Sequence, residues 1–394
     1  MHDVMIVGGG IVGLTLAALL SKNNLSVAVI ESKTINAADN TITARVSAIH
    51  LTAVRLFQYL ECWDLLAKTA RAPLQAIHIW DYTQKTQLQF DAREMGEKNL
   101  GFIVNNNAIV DMLYRHLKKQ SVVDFYCPHS PASIERSHQN IVLTLNDERK
   151  LSAQLLVGAD GAHSWVRSHM TARVHTRPYY QNAIIAVIQS ALPHHHCAYQ
   201  KFLPSGPEAL LPLHDCYHHA LVFSSDDAMS EELIKKSPED FAAVLTESFD
   251  FKYGDLKLIS TRDSFPLTMR HASHYAEQNL ALVGDAAHTI HPLAGLGVNL
   301  GLMDAACLSD VLLNASHVGE LRILSRYTRW RMAQNTPVIA AMRGLKEVFE
   351  INSLPFNSVR NTAINTINQC SVLKNHLMRL ATGQSKELPR FLQR

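Results

Sequence analysis

The chain is short of several things. Its six cysteines, Cys62, Cys127, Cys197, Cys216, Cys307 and Cys370, form no C-x-x-C pair. That spacing excludes the usual structural zinc site and leaves no disulfide framework, so reduced thiols are expected. Net charge is also nearly absent, at +2 from 37 Lys and Arg against 35 Asp and Glu, which offers no electrostatic footprint for nucleic acid. The most apolar stretches, "IVGLTLAALL" and "NAIIAVIQSAL", fall below the roughly 18 uninterrupted apolar residues of a spanning helix. The first has no positive leader and no small-residue cleavage site, and reads as part of a mature cytosolic N-terminus rather than a signal peptide. Internal repeats and low-complexity linkers are missing as well. What is present is 394 residues, 47% of them hydrophobic, enough to bury a large core as one elaborate or two closely joined domains. Histidine is the notable excess, with 21 copies.

The opening stretch, "DVMIVGGGIVGLTLAALLSKNNLSVAVIES", carries the clearest local signal. It predicts an apolar strand, a glycine turn, a helix and a second strand ending at Glu31. Gly8, Gly10 and Gly13 form G-x-G-x-x-G in the context that gives the motif meaning, with a strand before and a helix after. Gly8 makes the tight turn, Gly10 lets the backbone approach a pyrophosphate, and Gly13 lets helix pack on strand. The free N–H groups of the helix start then face the phosphates. Glu31 stands where a carboxylate accepts hydrogen bonds from both adenosine ribose hydroxyls, which favours FAD or NAD over NADP.

A second stretch separates FAD from NAD. "NLALVGDAAH" predicts a buried strand ending in Gly284-Asp285. The loop after it runs through "HPLAGLGVN", with Gly295, Gly297 and Val298, into a helix starting near Asn299. A strand delivering Asp285 beside a ribityl chain, followed by a helix whose N-terminus faces a flavin ring, suits a long flavin dinucleotide. The glycines would make room for the ring and phosphates. A third fragment, "LLVGADGAHSWVR", is a further strand with Asp160-Gly161 at its end.

Together the three fragments resemble the aromatic-ring hydroxylases that use FAD and a transiently bound pyridine nucleotide. The likeness narrows with "RVSAI", "LGFIVNN" and "FLPSGPEALLPL", which resemble the ubiquinone-biosynthesis hydroxylases of the UbiH/UbiF/VisC group. "GDAAHTIHPLAG" and "MDAA" look most like the VisC type. The similarity runs from the first strand to "LKNHLMRLATG" near the end. Two positions depart from the group: Leu296 stands where Gln is usual, and Asn105 where Glu is usual.

The resemblance implies an α/β fold with α+β elements: a Rossmann-like FAD-binding domain joined to an antiparallel-sheet substrate domain, as in p-hydroxybenzoate hydroxylase. The FAD-binding domain is expected to be discontinuous, over 1–75, 96–175 and 266–340. The substrate sheet takes 76–95 and 176–265, where "NAIIAVIQS", "CAYQKFL", "ALLPLHD" and "HHALVFSS" read as short strands. A helical region, 341–394, follows, and Pro337 is expected to kink its approach. The implied reaction is hydroxylation of a polyprenylated phenol or benzoquinol ring in ubiquinone biosynthesis. NADH or NADPH reduces FAD, O2 adds to the flavin at C4a, and the hydroperoxide transfers OH. The nicotinamide cofactor visits without a Rossmann domain of its own. The protein's task is orientation and exclusion of water.

The resemblance also distributes roles. Gly8, Gly10, Gly13, Glu31, Asp160, Gly161, Gly284, Asp285, Gly295, Gly297, Val298 and Asn299 are expected at FAD. The alternative for the three carboxylates is a turn or helix cap. Arg45 approaches the flavin or the visiting nucleotide, or else forms a surface ion pair. His291 and Pro292 face the flavin as the catalytic candidates, with a structural imidazole as the alternative for His291. Gln200, Phe202 and Pro212 would line the substrate wall or pack within the sheet. His288 with His291 lacks further ligand spacing, so no metal is expected, and "HHH" at 194–196 reads as a solvated turn. The stretch after Lys374 alternates apolar and basic residues and suits either peripheral contact with the inner membrane or packing on the core. Partners of the same pathway and a homo-oligomer are compatible with the group. Two other function classes remain open: a hydroxylase of a soluble aromatic compound, and a non-catalytic flavoprotein scaffold, the latter motivated by Leu296.

Overall fold

The structure is a computed structural model. It describes residues 1–35, 43–83, 87–291 and 295–350, then 361, 362, 365, 366, 368, 370, 374, 375, 378, 379, 383 and 387–393. Its organising element is a parallel sheet. His2–Val7 pairs with Val27–Ile30 on one side and Lys150–Gly158 on the other. Val123–Tyr126 extends the sheet beyond Val27–Ile30, and Leu280–Leu282 extends it beyond Lys150–Gly158. Val27–Ile30, Leu280–Leu282 and most of His2–Val7 and Lys150–Gly158 are buried, as a sheet covered on both faces requires, whereas Val123–Tyr126 is buried only at Val123. Helix Ile11–Lys22 is apolar on all sides because helix Leu296–Leu312 packs against it.

Parallel strands that lie side by side end at the same edge. The turns after Val7, Ile30, Gly158 and Leu282 therefore leave from one side of the sheet, although the sequence separates them widely. Ligands of open α/β sheets bind in the crevice outside these carboxyl ends. One array of parallel backbones thus assembles all three glycine-bearing fragments.

A second, mostly antiparallel sheet forms the opposite wall. Among the described residues it contains Val174–Ser190, Cys197–Leu203, Gly206–Pro212 and His218–Asp226, the four stretches whose alternation predicts strands. It also takes in Ala76–Asp81, Gln87–Asp91, Leu256–Leu258, Asp263–Ala272 and His288–Thr289. Cys197–Leu203 runs parallel to Ala76–Asp81, so the sheet is not wholly antiparallel. Helices Asp227–Lys235 and Pro238–Ser248 go with the core on one face, around Phe223, Phe241 and Phe249. A small sheet of Val46–His50, Gly101–Asn105 and Arg71–Leu74 completes the set.

The helix expected near Asn299 begins three residues earlier, at Leu296. Pro337 lies inside one helix, Leu321–Glu350. Among the described residues no helix is long and apolar enough to cross a membrane. Of the C-terminal stretch proposed for a membrane face, Lys374, Asn375, Met378 and Arg379 are described, and Lys374 and Met378 are buried.

Candidate functional site

A cavity of about 580 Å³ opens between the carboxyl ends of the parallel strands, the small sheet and the large sheet. Gly10, Gly161, Asp285, His291, Gly295, Gly297, Val298, Asn299 and Gln200 line it together with Leu296. Gly8, Gly13, Glu31, Arg45, Asp160, Gly284, Phe202 and Pro212 are not part of that lining. Pro292 lies outside the described residues.

The glycines divide by cause. A methyl group on Gly8 would meet the Ala159 carbonyl oxygen at 2.3 Å, and one on Gly13 would meet the Gly8 oxygen at 2.0 Å. Both are required by the protein's own packing. Among the described residues Gly10, Gly161 and Gly297 would meet nothing within 4 Å, yet all three border the cavity. Gly161 has φ +80°, a conformation that itself favours glycine, whereas Gly10 has φ −78° and any residue could adopt it.

Helix caps divide in the same way. Helices Leu51–Tyr59, Asn106–Leu117, Asp227–Lys235 and Pro238–Ser248 receive side-chain caps from His50, Asn105, Asp226 and Ser237. Helices Ile11–Lys22 and Leu296–Leu312 begin at Gly10 and Gly295 without a side-chain cap. Their first-turn N–H groups are unserved by side chains at the cavity, where an anion or an electron-rich heterocycle can accept from them. Asn105, where the group usually has Glu, is explained locally: its Oδ1 accepts from the N–H groups of Asn107 at 2.9 Å and Ala108 at 3.4 Å.

The carboxylates have distinct surroundings. Glu31 Oε2 accepts from the Gly9 N–H at 2.7 Å, and Oε1 accepts from the Lys33 N–H at 2.9 Å, which ties the second strand to the first glycine turn. Asp160 Oδ2 accepts from the N–H groups of Trp165 and Val166 at 2.7 and 3.2 Å. This is the helix-cap alternative, although Asp160 Oδ1 is buried with no partner among the described residues. Asp285 opens on the cavity. The protein around it displaces water, and this desolvation is the main reason its carboxyl lies above the ordinary value; His288 opposes the shift and Asp304 reinforces it.

Asn299 Nδ2 donates to the carbonyls of Ala48 at 2.7 Å and Gly295 at 3.0 Å, and its Oδ1 accepts from the His50 N–H at 3.2 Å. It binds the small sheet to the helix start. His291 is buried; its Nε2 lies 3.3 Å from Gln181 Oε1 and its Nδ1 has no partner among the described residues. Burial, with Lys346 adding to it, pushes its pKa down to about 3, so the ring is neutral. Arg45 is largely exposed and reaches Asp263 at 3.4 Å, the surface ion-pair alternative.

Phe202 stacks on Phe349 with centroids 3.9 Å apart, and Pro212 pairs with His219 within the sheet. The expectation of a solvated "HHH" turn needs correction at His194. That residue is buried, with Nε2 3.0 Å from the Leu213 carbonyl and 3.1 Å from that of Asp215, because the turn folds back under the strand ends. His288 faces Asp304 at 2.6 Å, and among the described residues no group of His, Cys, Asp and Glu could hold a metal.

Sequence reasoning missed the apolar part of the cavity lining, made by Leu74, Ile77, Phe90, Leu100, Ile103, Leu211 and Met378. They form one packed cluster with Ala198. Each comes from a segment that reads as ordinary core, and no local spacing marks it.

The residues present fit a flavin dinucleotide. Two uncapped helix starts and three unobstructed glycines converge on one cavity, with a carboxylate beside them. Residues 1–341 match the family described as FAD binding domain. The chain is 34% identical to the 3-demethoxyubiquinol 3-hydroxylase of Escherichia coli strain K12, over 97% of this chain and 98% of that one. It is 32% identical to the ubiquinone hydroxylase UbiL of Rhodospirillum rubrum, over 99% and 92%. In fold it is similar to p-nitrophenol 4-monooxygenase PnpA from Pseudomonas putida DLL-E4, with a TM-score of 0.80 and 16% identity over 98% of this chain and 99% of that one. The chain thus belongs to the FAD-binding-domain family of flavin-dependent monooxygenases and, within it, to the hydroxylases of ubiquinone biosynthesis.

Proposed function

We propose that the protein hydroxylates the aromatic ring of a polyprenylated phenol or benzoquinol on the route to ubiquinone, with FAD as resident cofactor, NAD(P)H as transient reductant and O2 as oxygen donor. The observation that carries this reading is the mixed lining of one cavity. It includes Gly10, Gly161 and Gly297, where an added Cβ would meet no described atom within 4 Å, together with the apolar Leu74, Ile77, Leu100 and Met378. The glycines suit phosphates and a planar heterocycle, and the apolar residues suit a hydrocarbon tail.

Bound and reduced FAD would supply the activated oxygen. The chain's own residues bind and orient. In this reading Gly10 and the N-terminus of helix Ile11–Lys22 receive the pyrophosphate, Glu31 the adenosine ribose, and Asp285 the ribityl hydroxyls. Gly295, Gly297 and Val298 border the flavin ring, while Asn299 holds the loop against it. The neutral His291, with Gln200 across the cavity, faces the ring to be hydroxylated. The apolar wall keeps water from the reacting atoms. The parallel sheet with its loops, within 1–75, 96–175 and 266–340, serves as the cofactor domain. Segments 76–95 and 176–265 serve as the substrate wall, and most of 341–394, the expected helical region, lies outside the described residues. Peripheral contact with the membrane would give access to a lipid-dissolved substrate.

The test is lipid extraction from a strain lacking the protein, paired with the purified protein. A quinone precursor short of one ring hydroxyl should accumulate, and the protein should release non-covalent FAD on denaturation. Release of FMN, or no flavin after reconstitution, sinks the cofactor assignment. Unchanged lipids with hydroxylation of a soluble phenol would redirect the substrate, and O2 consumption without hydroxylated product would favour a scaffold.

A further inference from the structure

We propose that Asp304 is a positioning residue of the cofactor site: it holds the turn that presents Asp285 and anchors that turn to the helix Leu321–Glu350. The inference rests on the assignment of the cavity to FAD.

Asp304 is fully buried on helix Leu296–Leu312. A buried carboxylate is tolerated only when its oxygens are satisfied, and four donors meet this one. Oδ2 accepts from the Gly284 N–H at 3.0 Å and from His288 Nε2 at 2.6 Å. Oδ1 accepts from Arg331 Nε at 2.6 Å and Asn335 Nδ2 at 3.1 Å. Burial alone would raise its pKa, but His288 and Arg331 outweigh that and hold the carboxyl at about 2.

The two sides of the carboxylate face different parts of the molecule. The Oδ2 donors belong to the turn that lines the cavity: Gly284 precedes Asp285, and His288 precedes Thr289 and His291. The Oδ1 donors come from a helix absent from the cavity lining. Arg331 Nη2 is held in turn by Asn335 Oδ1 at 2.6 Å. The same helix makes a second tie just upstream, where the Tyr327 hydroxyl donates to the Leu282 carbonyl at 2.7 Å. The Gly-Asp turn is thus fixed from behind by a charged hub, while Asp285 in front remains open to the ligand. An ion pair needed only for folding would not have to place both of its Oδ2 donors in the ligand-bearing turn.

The test is FAD titration of apoprotein variants, with apoprotein melting measured in parallel. Asp304→Asn would leave the Arg331 charge without its partner and puts the fold at risk, so the deciding variants are at His288. His288→Phe keeps a ring but removes the donor, and FAD binding should weaken about 10- to 100-fold, the worth of a hydrogen bond to a charged group. His288→Gln restores an N–H near the Nε2 position and should stay within about threefold of wild type. In an Asp285→Ala background, His288→Phe should cost less than about twofold, because the side chain it positions is gone. Asn335→Ala, far from the ligand, should weaken FAD by about three- to tenfold and keeps the test open if His288→Phe does not fold. The proposal is overturned if His288→Phe or Asn335→Ala lowers only the melting temperature, or if the His288 and Asp285 effects on affinity simply add. Wild-type apoprotein that takes up no FAD would instead overturn the cofactor reading itself.

Discussion

The two glycine turns that open helices onto the cavity look alike in sequence but differ in what presses on them. In the first, Gly8 and Gly13 are closed in by backbone, the Ala159 carbonyl and Gly8 itself. In the second, Gly284 and Gly301 receive a side chain, Val12, whose methyl groups would lie 3.2 and 2.7 Å from their added Cβ atoms. Val12 belongs to the first turn, so one branched residue spaces the two loops. Gly295, at φ +60°, is crowded by Ala48. Each turn then keeps one glycine that nothing in the protein demands, Gly10 in one and Gly297 in the other. Most of a glycine fingerprint is spent on packing loops together, and only a residue or two is reserved for the ligand.

The largest effect should follow where backbone is in the way. In Gly13→Ala the new methyl meets a carbonyl oxygen at 2.0 Å, and neither the turn nor the helix can yield without moving the first strand. Overpacking of this kind costs roughly 3 kcal/mol or more. Chemical denaturation of the apoprotein should show that loss before any flavin is added. A Gly13→Ala protein as stable as wild type would break the division between packing and ligand glycines.

Next come the open positions, where stability and binding should separate. Gly10→Val and Gly297→Val should leave the apoprotein folded and weaken FAD by about 100-fold, near 2.7 kcal/mol. Gly297→Ala sharpens the point because its two effects have opposite sign. Alanine in the first turn of helix Leu296–Leu312 should raise apoprotein stability by up to about 1 kcal/mol and still lower FAD affinity. Equal loss of stability and affinity at Gly297 would mean that its space belongs to the fold.

What could be read without the structure follows from how local each signal is. The Gly8-Gly10-Gly13 turn, the Asp160-Gly161 and Gly284-Asp285 strand ends, and the four strands of the large sheet are each written within a dozen residues, and all are present. Contacts that depend on distant segments were not legible. Leu74, Ile77, Leu100 and Met378 meet only because the small sheet, strand Ala76–Asp81 of the large sheet and the C-terminal region converge. Phe202 resembles a wall residue by position but turns to Phe349, which lies 147 residues further along the chain. The "MDAA" stretch contains Asp304, yet its partners Arg331 and Asn335 sit on another helix with no spacing to link them. The short helix capped by Ser164 supplies the two N–H groups, of Trp165 and Val166, that Asp160 accepts.

Asp285 should give a smaller and pH-dependent effect. Asp285→Ala should weaken FAD by roughly 1–3 kcal/mol, the worth of one or two buried polar contacts. Desolvation raises its carboxyl pKa in the ligand-free protein, and only the ionised form is purely an acceptor for ribityl hydroxyls. FAD affinity should therefore fall as pH drops through that raised value, and Asp285→Asn should remove this pH dependence. Isothermal titration at several pH values checks both; a slope that persists in the Asn variant would place the titrating group elsewhere.

The smallest expected effect lies at Leu296, beside the open Gly297. Leu296 is the first residue of its helix, borders the cavity and follows an uncapped glycine, so its side chain supplies no hydrogen bond where the resembling group usually carries Gln. Leu296→Gln should fold normally, because the position is only partly buried. One added polar contact is worth roughly 0.5–1 kcal/mol, about two- to fivefold in a partition ratio. That contact should hold the reacting groups in fewer orientations, and orientation governs how often oxygen reaches the ring rather than leaving as peroxide. Product formed and peroxide released per NAD(P)H oxidised should be measured together in both proteins. A higher product share in the Gln variant supports the argument, whereas equal or lower coupling would show that this chain's cavity is adapted to leucine at 296 and that its neighbours, not this side chain, set the orientation.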